Sequence, residues 1–201
     1  MAQPARKRLT YAEYLAIEVE TDLRHEFLDG EAWAMAGGTP RHSRVKVNLT
    51  TALNVALGAG PCVAFDSDLK VRVRETGLAT YPDAAIVCGP LERDPQDPNA
   101  VCNPTVLVEV LSEGTEAWDR GGKFAHYRRI PGLRHYLLVD CRQARVEHYV
   151  RQEDGRWLLS EHGPGEVVQV AAAGLHLSVD ALYQGLPDEE PVPQDAPSAP
   201  A

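Results

Sequence analysis

Apolar residues recur at helical spacing in two segments near the start of the chain. Thr10, followed three residues later by Glu13, matches a capping box, in which each side chain satisfies a free backbone N–H of the first turn. A short helix is therefore predicted from this point to about residue 18. From about Pro40 to Leu57 the apolar residues mostly follow the helical period, which predicts a core-facing helix that ends at the glycines after it.

Other segments carry the shorter patterns that are typical of strands. Asp-Gly dipeptides at 29–30 and 154–155 predict β-hairpins, because Asp-Gly adopts the positive backbone angles of a tight turn. The segment CVAFDSDLKVRVRE alternates, which predicts one half-buried strand whose outer face carries Lys70, Arg72 and Arg74. Nearly continuous apolar runs predict strands that are covered on both faces. These runs are YPDAAIVCG, PTVLVEVLS and RHYLLVD, and two further strands are predicted at VVQV and LHLSV.

One more helix is predicted between the second and third apolar strands. Thr115 can cap it, and Pro131-Gly132 stops it after about Arg129. Gly121 and Gly122 fall inside it, where each costs on the order of 1 kcal/mol relative to alanine. Either the backbone packs closely there, or the helix begins after the second glycine. The elements together predict an α/β (α+β) fold with an N-terminal hairpin and a C-terminal β meander.

Length and composition bound the organisation of the chain. With 201 residues, a single domain at 9–185 is expected, between a flexible N-terminus at 1–8 and a disordered, acidic, Pro/Ala-rich tail at 186–201. No apolar run reaches the roughly 18 residues that cross a bilayer, and no secretory signal is present, so no membrane partner is expected. The four cysteines show no CxxC pair, which makes a zinc site or disulfides unexpected and fits a reducing cytoplasm.

The net charge weighs against one class of function. A formal charge of -9 is unusual for a protein that binds nucleic acid by general phosphate attraction. Part of this charge lies in the tail, and a metal site also needs clustered carboxylates. The acidity therefore lowers the expectation of nucleic-acid binding without removing it.

Two carboxylates lie inside apolar strands and are the main candidates for chemistry. Asp83 lies in YPDAAIV and Glu109 in VLVEVLS. A buried acid is unfavourable unless it is paired or binds a metal, and two on neighbouring strands repel unless they share a cation. Mg²⁺ suits such a pair, since it prefers oxygen ligands. The alternative is structural: one acid ends a strand and the other pairs with an arginine.

The order of the motifs resembles a known family. TYAEYL, RHEFLDGEAWAMAGGTPRHSRV, YPDAAIV, P-x-VLVEVLS, D-x-x-x-K-x-x-x-Y and RHYLLVD follow one another as in the Uma-two family of bacterial endonucleases, over roughly residues 9 to 150. The resemblance implies a restriction-endonuclease-like core, with a central mixed sheet flanked by helices. It further implies that Asp83, Glu109 and the carbonyl of Val110 bind the metal.

In restriction-endonuclease-like proteins a lysine usually follows the second acid of the site by two residues, and this sequence departs from that pattern. Leu111 stands two residues after Glu109, on the same strand face, where acid-x-lysine is expected. The resembled family is thought to supply this lysine from the next helix, which here implies Lys123. Asp119, Lys123 and Tyr127 share one face of that predicted helix. The alternative is that Asp119 and Lys123 form an ordinary surface pair.

Other polar residues are weaker candidates. Glu31 could supply a third acid, and His42 could face the metal or the substrate, although a capping or exposed histidine is an equally good interpretation. Ser112 could orient the site or only turn the chain, while the remaining histidines show no ligand spacing. Basic residues crowd the helix after Glu109 and could position a phosphate backbone.

These observations lead to one principal hypothesis. The protein is expected to hydrolyse phosphodiester bonds of DNA with Mg²⁺ or Mn²⁺, through Asp83, Glu109 and Lys123. Two alternatives stay open: an inert nuclease-fold module that binds nucleic acid or protein, and a hydrolase of another phosphate ester. A homodimer is a further expectation, because two copies often cut two strands.

Overall fold

A computed structural model describes residues 8–35 and 37–187. The strands are β1 His25–Leu28, β2 Glu31–Ala34, β3 Cys62–Asp66, β4 Lys70–Val73, β5 Leu78–Thr80, β6 Ala84–Cys88, β7 Ala100–Val101, β8 Val106–Leu111, β9 His135–Asp140, β10 Arg145–Arg151, β11 Trp157–His162, β12 Val167–Val170 and β13 Leu175–Ser178. The helices are α1 Tyr11–Glu20, α2 Pro40–Leu57, α3 Phe124–Tyr127 and α4 Val179–Leu182. A π-helical turn at Trp118–Lys123 leads into α3, and a 3-10 turn occupies Ala171–Ala173. Most of the predicted N-terminal segment and acidic tail, at 1–7 and 188–201, lies outside the described residues.

The two N-terminal helices form where the local sequence predicts them. Both hydrogen bonds of the capping box between Thr10 and Glu13 are present at the start of α1. Helix α2 has Thr39 as its N-cap and Pro40 in its first turn, where proline is well accommodated. Its bounds are those predicted. None of the helices in the described parts of the chain is both long and apolar enough to span a membrane.

A six-stranded mixed sheet forms the centre of the fold. Its order is β11-β10-β9-β8-β6-β3, and β8 and β9 are parallel while the other neighbours are antiparallel. Parallel neighbours need a crossover connection, which the π-helical turn and α3 supply. The predicted mixed α+β fold with a central mixed sheet is confirmed.

Both faces of the central sheet are covered. On one face, α2, α4 and the β12–β13 pair bury an aliphatic core. On the other face, the helical segment after β8 packs together with a second sheet of order β2-β1-β5-β4-β7. This covering explains the continuous apolar character of β6, β8 and β9. The predicted hairpins are present as β1–β2 and β10–β11.

The prediction of one alternating strand in CVAFDSDLKVRVRE is wrong. The chain turns between Asp66 and Lys70, so β3 lies at the edge of the central sheet and β4 in the second sheet. The predicted basic face is only partly solvated, because Arg74 is exposed but Lys70 and Arg72 are covered. The Lys70 ammonium is buried, 2.9 Å from a carboxylate oxygen of Asp97, and the Arg72 guanidinium lies 3.8 Å from the centre of the Tyr11 ring. Helix α1 covers Lys70 and Arg72, which periodicity alone could not reveal.

The prediction of no disulfide is also wrong. Cys62 on β3 and Cys88 on β6 are directly opposite each other in the antiparallel pair and are joined by a disulfide. Cys102 and Cys141 are free and buried, as expected for small apolar side chains. The pairing follows from strand register, which cysteine spacing does not encode.

Reduction should destabilise the protein through this bond. Closing a loop across the 26-residue separation of Cys62 and Cys88 stabilises the folded state by about 3.5 kcal/mol in the chain-entropy model. We expect dithiothreitol to lower the urea midpoint of the wild-type protein and to leave that of the Cys62→Ala/Cys88→Ala variant unchanged. Equal midpoints of the oxidised and reduced wild-type protein would contradict the prediction.

The two glycines of the helical segment have different roles. A Cβ atom on Gly122 would lie 1.9 Å from carbons of the Trp118 ring, whereas a Cβ on Gly121 would meet nothing within 4 Å. The Trp118 ring is held in place between those of Trp33 and His126. Both interpretations that the sequence left open apply: the backbone packs closely at Gly122, and the α-helix itself begins only at Phe124, after the π-helical turn.

Alanine substitutions should therefore separate the two positions. Gly122→Ala should lower the free energy of unfolding by about 1–3 kcal/mol, the usual range for overpacking, because the indole has to move. Gly121→Ala should be neutral or stabilising by up to about 1 kcal/mol, since alanine favours helix. Urea unfolding monitored by circular dichroism measures both, and similar values for the two variants would refute the assignment.

Candidate active site

The two strand carboxylates lie side by side in the central sheet. In the β6–β8 pair Ala84 is opposite Val108, so Asp83, one residue before β6, comes next to Glu109. Both side chains are buried. The backbone N–H of Val110 donates to Asp83 Oδ2 at 2.7 Å, which ties the two strands together at this point.

Helix α2 supplies the neighbours of Asp83. Lys46 Nζ lies 2.9 Å from Asp83 Oδ1, and His42 Nε2 lies 3.6 Å from Asp83 Oδ2. The same His42 nitrogen donates to the Val110 carbonyl at 2.9 Å. Burial raises the pKa of Asp83, but His42 and the positive charge of Lys46 together lower it below its ordinary value. Asp83 is therefore held as an anion.

A small residue makes room for the His42 ring. A Cβ atom on Gly38 would lie 2.4 Å from His42 Nδ1. His42 and Lys46 are four residues apart, so they project from the same face of α2. The loop before α2 and the helical spacing thus place both side chains against the end of β6.

Lys123 is the centre of the second half of the site. Its Nζ lies 3.0 Å from Glu26 Oε1, 3.2 Å from Glu109 Oε1 and 3.3 Å from Asp119 Oδ1. The Tyr127 hydroxyl donates to Glu109 Oε1 at 2.7 Å. All of these side chains are buried. The predicted face of Asp119, Lys123 and Tyr127 is thus directed at Glu109 and not at solvent.

The cluster has more negative than positive charge. Three carboxylates surround one ammonium, and Asp83 is close enough to add to the repulsion. Burial raises the pKa of Glu109 to about 8; Lys123 opposes this shift, and Asp119 and Asp83 reinforce it. Burial likewise raises the pKa of Asp119. Within the described residues Asp119 Oδ1 has no well-aligned hydrogen-bond partner, although Lys123 lies near it.

Glu26, not Glu31, is the hairpin acid at this cluster. Glu26 is buried and accepts hydrogen bonds from the Thr80 hydroxyl and from Trp33 Nε1. Glu31 is exposed and lines a separate cavity of about 400 Å³ together with Trp33 and Trp118.

Ser112 turns the chain after β8. Its hydroxyl is 2.9 Å from that of Thr115, and its carbonyl accepts from the backbone N–H of Glu116 at 2.9 Å. These contacts start the helical segment that carries Asp119 and Lys123. Ser112 therefore affects the site indirectly, by directing the chain into this helical segment.

Sequence reasoning missed Lys46 and Glu26. The four-residue spacing from His42 could have indicated Lys46, since both then share one face of α2. Glu26 had no comparable signal, because its neighbours come from other elements. Within residues 8–35 and 37–187, no three side chains of His, Cys, Asp or Glu are grouped as a metal site.

The comparisons with known proteins begin with the fold. A crystal structure described as "a putative nuclease belonging to DUF820 from Anabaena variabilis ATCC 29413" superimposes with a TM-score of 0.70. The match covers 87% of this chain and 97% of that one at 20% sequence identity. At this identity the likeness shows the fold alone, and that fold is consistent with the restriction-endonuclease-like core that the sequence predicts.

Sequence comparison shows the family. The model of the Uma2 family, described as "Putative restriction endonuclease", matches residues 11–180. An uncharacterised Synechocystis sp. protein, slr1290, is 37% identical over 89% of this chain and 93% of its own length. A second one from the same organism, sll1609, is 37% identical over 77% and 88%. The chain belongs to the Uma2 family, and the resemblance inferred from its motifs is confirmed.

The raised pKa of Glu109 predicts a specific pH dependence. The folded protein keeps this proton up to about pH 8, whereas the unfolded chain loses it near pH 4.5. Raising the pH between these values therefore favours unfolding, by at most about 1.4 kcal/mol per pH unit. In a chelator, the stability of the wild-type protein should fall relative to that of Glu109→Gln across this window.

Urea unfolding of both proteins at several pH values measures the difference and cancels the titration of other groups. Glu31→Gln, the same chemical change at an exposed carboxylate, is the matched control and should follow the wild type. A constant difference between wild type and Glu109→Gln from about pH 5 to about pH 8 would show that Glu109 is ionised throughout.

Proposed function

We propose that this protein is a nuclease that hydrolyses phosphodiester bonds of DNA with Mg²⁺ or Mn²⁺. The observation that carries the proposal is the adjacency of Asp83 and Glu109 in the central sheet, with Lys123 at 3.2 Å from Glu109. Membership in a family described as "Putative restriction endonuclease" supports the reaction class. DNA as substrate, and a homodimer that cuts both strands, are parts of the proposal.

The residues fit a divalent cation. Asp83, Glu109 and the Val110 carbonyl offer the oxygen ligands that Mg²⁺ prefers, and Mg²⁺ is commonly held by only one or two carboxylates together with waters. The excess of carboxylates over ammonium groups around Lys123 leaves negative charge for a cation to neutralise. Binding would require His42 to release the Val110 carbonyl. When bound, such an ion polarises a phosphoryl oxygen and lowers the pKa of water.

The other side chains have distinct roles in this proposal. Lys123 donates to the phosphoryl oxygen on which negative charge develops. The carboxylates of Glu26 and Asp119 fix the position of the Lys123 ammonium before the substrate binds. Tyr127 orients Glu109 through its hydroxyl. Lys46 is about one quarter exposed, so it can also reach a phosphate oxygen at the mouth of the site.

Plasmid nicking tests the proposal. The wild-type protein should nick supercoiled DNA with Mg²⁺ or Mn²⁺ and not with a chelator. Asp83→Asn and Lys123→Gln should each lower the rate by about 100-fold or more, since each removes a group that acts on the reacting phosphate. Asp140→Asn is the matched control, a buried aspartate on β9 that pairs with Arg142 and Arg145, and it should keep most of the activity.

Two outcomes would favour the alternatives. DNA binding without metal-dependent cleavage, together with metal binding that Glu109→Gln leaves unchanged in calorimetry, would indicate an inert binding module. Leu111 in place of the usual strand lysine is the observation that favours this alternative. Cleavage of small phosphate esters but not of DNA would indicate a different phosphohydrolase.

A further inference from the structure

A second, basic cavity lies between α3 and the β10–β11 hairpin. Its volume is about 620 Å³. The lining residues are Phe124, Arg128, Arg129, Arg151, Gly155, Arg156 and Trp157. Four of these are arginines and none is acidic, in a protein whose net charge is -9. This concentration of positive charge requires an explanation other than average composition.

Arg151 forms the fixed part of the cavity. Its guanidinium donates to the carbonyls of Arg128, Ile130, Pro131 and Leu133, just after α3, and lies 5.3 Å from the centre of the Trp157 ring. Burial and the charge of Arg134 lower its pKa. Its partners are carbonyls and not carboxylates, so these hydrogen bonds leave its formal positive charge unneutralised.

The other three arginines are available for a ligand. Arg128 is exposed, and no carboxylate contacts its guanidinium in the described residues. Arg129 and Arg156 pair with Glu75 and Asp154, but both guanidinium groups are more than half exposed. Ion pairs this exposed contribute at most about 1 kcal/mol, so a stronger anion can replace the carboxylates.

The aromatic residues of the cavity indicate which class of anion it binds. Phe124 and Trp157 make an edge-to-face contact with ring centres 5.3 Å apart, and Trp157 is half-buried. Aromatic faces combined with arginines are typical of sites that bind single-stranded nucleic acid, where bases stack and phosphates pair with guanidinium groups. Simple phosphate would not need the aromatic surface.

The cavity shares its helical segment with the candidate active site. Lys123 and Tyr127 contact Glu109, while Phe124 and Arg128 line the cavity. A helix with its side chains is about 10 Å wide, so the two sites are a few nucleotides apart along an extended strand. A strand bound in the cavity is thereby held close to the buried acids.

We propose that this cavity binds a single-stranded segment of DNA, with phosphates on Arg128, Arg129 and Arg156 and a base against Trp157. The choice of DNA rests on the proposed nuclease function, whereas the binding itself needs no metal. The nearby arginines hold the strand and Trp157 distinguishes unpaired from paired bases, because a base in a duplex cannot stack on it.

Fluorescence anisotropy with a labelled oligothymidylate in a chelator tests this inference without cleavage. Each lost phosphate contact lowers single-strand affinity by about fivefold at 0.1 M salt, so Arg128→Ala/Arg156→Ala should bind about 25-fold more weakly and show a shallower salt dependence. Trp157→Leu should bind at least about fivefold more weakly with an unchanged salt dependence. Arg93 is an exposed arginine in the loop between β6 and β7, and Arg93→Ala should bind like the wild type.

Three results would overturn the inference. In the first, the double arginine variant binds as tightly as Arg93→Ala. In the second, the wild-type protein binds a single strand and its duplex with equal affinity. In the third, the wild-type protein does not bind the single strand. Thermal unfolding verifies that each variant is folded. Asp83→Asn should bind the oligonucleotide normally and lose nicking. Undiminished nicking by this variant would refute only the proposed catalysis and would leave the binding inference intact.

Discussion

The buried ammonium of Lys123 connects three parts of the chain that have no local reason to meet. Glu26 comes from the N-terminal hairpin, Glu109 from the central sheet and Asp119 from the π-helical turn. Any one of these groups would be costly to bury alone, and each is stabilised only by the others. The hairpin, the sheet and the crossover helix must therefore pack together for the site to exist, which couples folding to site assembly.

The π-helical turn positions the residues that connect the hairpin, the central sheet and the crossover helix. It contains Asp119 and Lys123, both buried, and π-helical turns are found disproportionately at functional sites. Gly122 lets the Trp118 ring lie against the backbone, and Trp118 in turn contacts Trp33 of the hairpin. Phe124 and Arg128, which follow this turn in the chain, line the basic cavity, so a short stretch of chain contributes to both sites.

Much of the site could be predicted, because some signals are local. Acids within apolar strands are conspicuous in any sequence, and the four-residue spacing of Asp119, Lys123 and Tyr127 indicates a common helix face. The errors all involve pairing between distant elements. Lys70 lies under α1, Cys62 faces Cys88 through strand register, and Glu26 rather than Glu31 contacts Lys123. Hydrophobic periodicity carries no information on which element covers which.

The sequence by itself determined most of the elements, their approximate bounds, the two acids at β6 and β8 and, through motif order, the family. Capping, turn formation and periodic burial act over a few residues, so they can be deduced from the chain directly. Only the tertiary structure decided which charges meet. Lys46 neutralises Asp83, whereas burial raises the pKa of Glu109 and Lys123, which is shared by three carboxylates, offsets this shift only in part. These interactions depend on burial and on distances between remote residues, and both exist only once the sheet and its covering helices have packed.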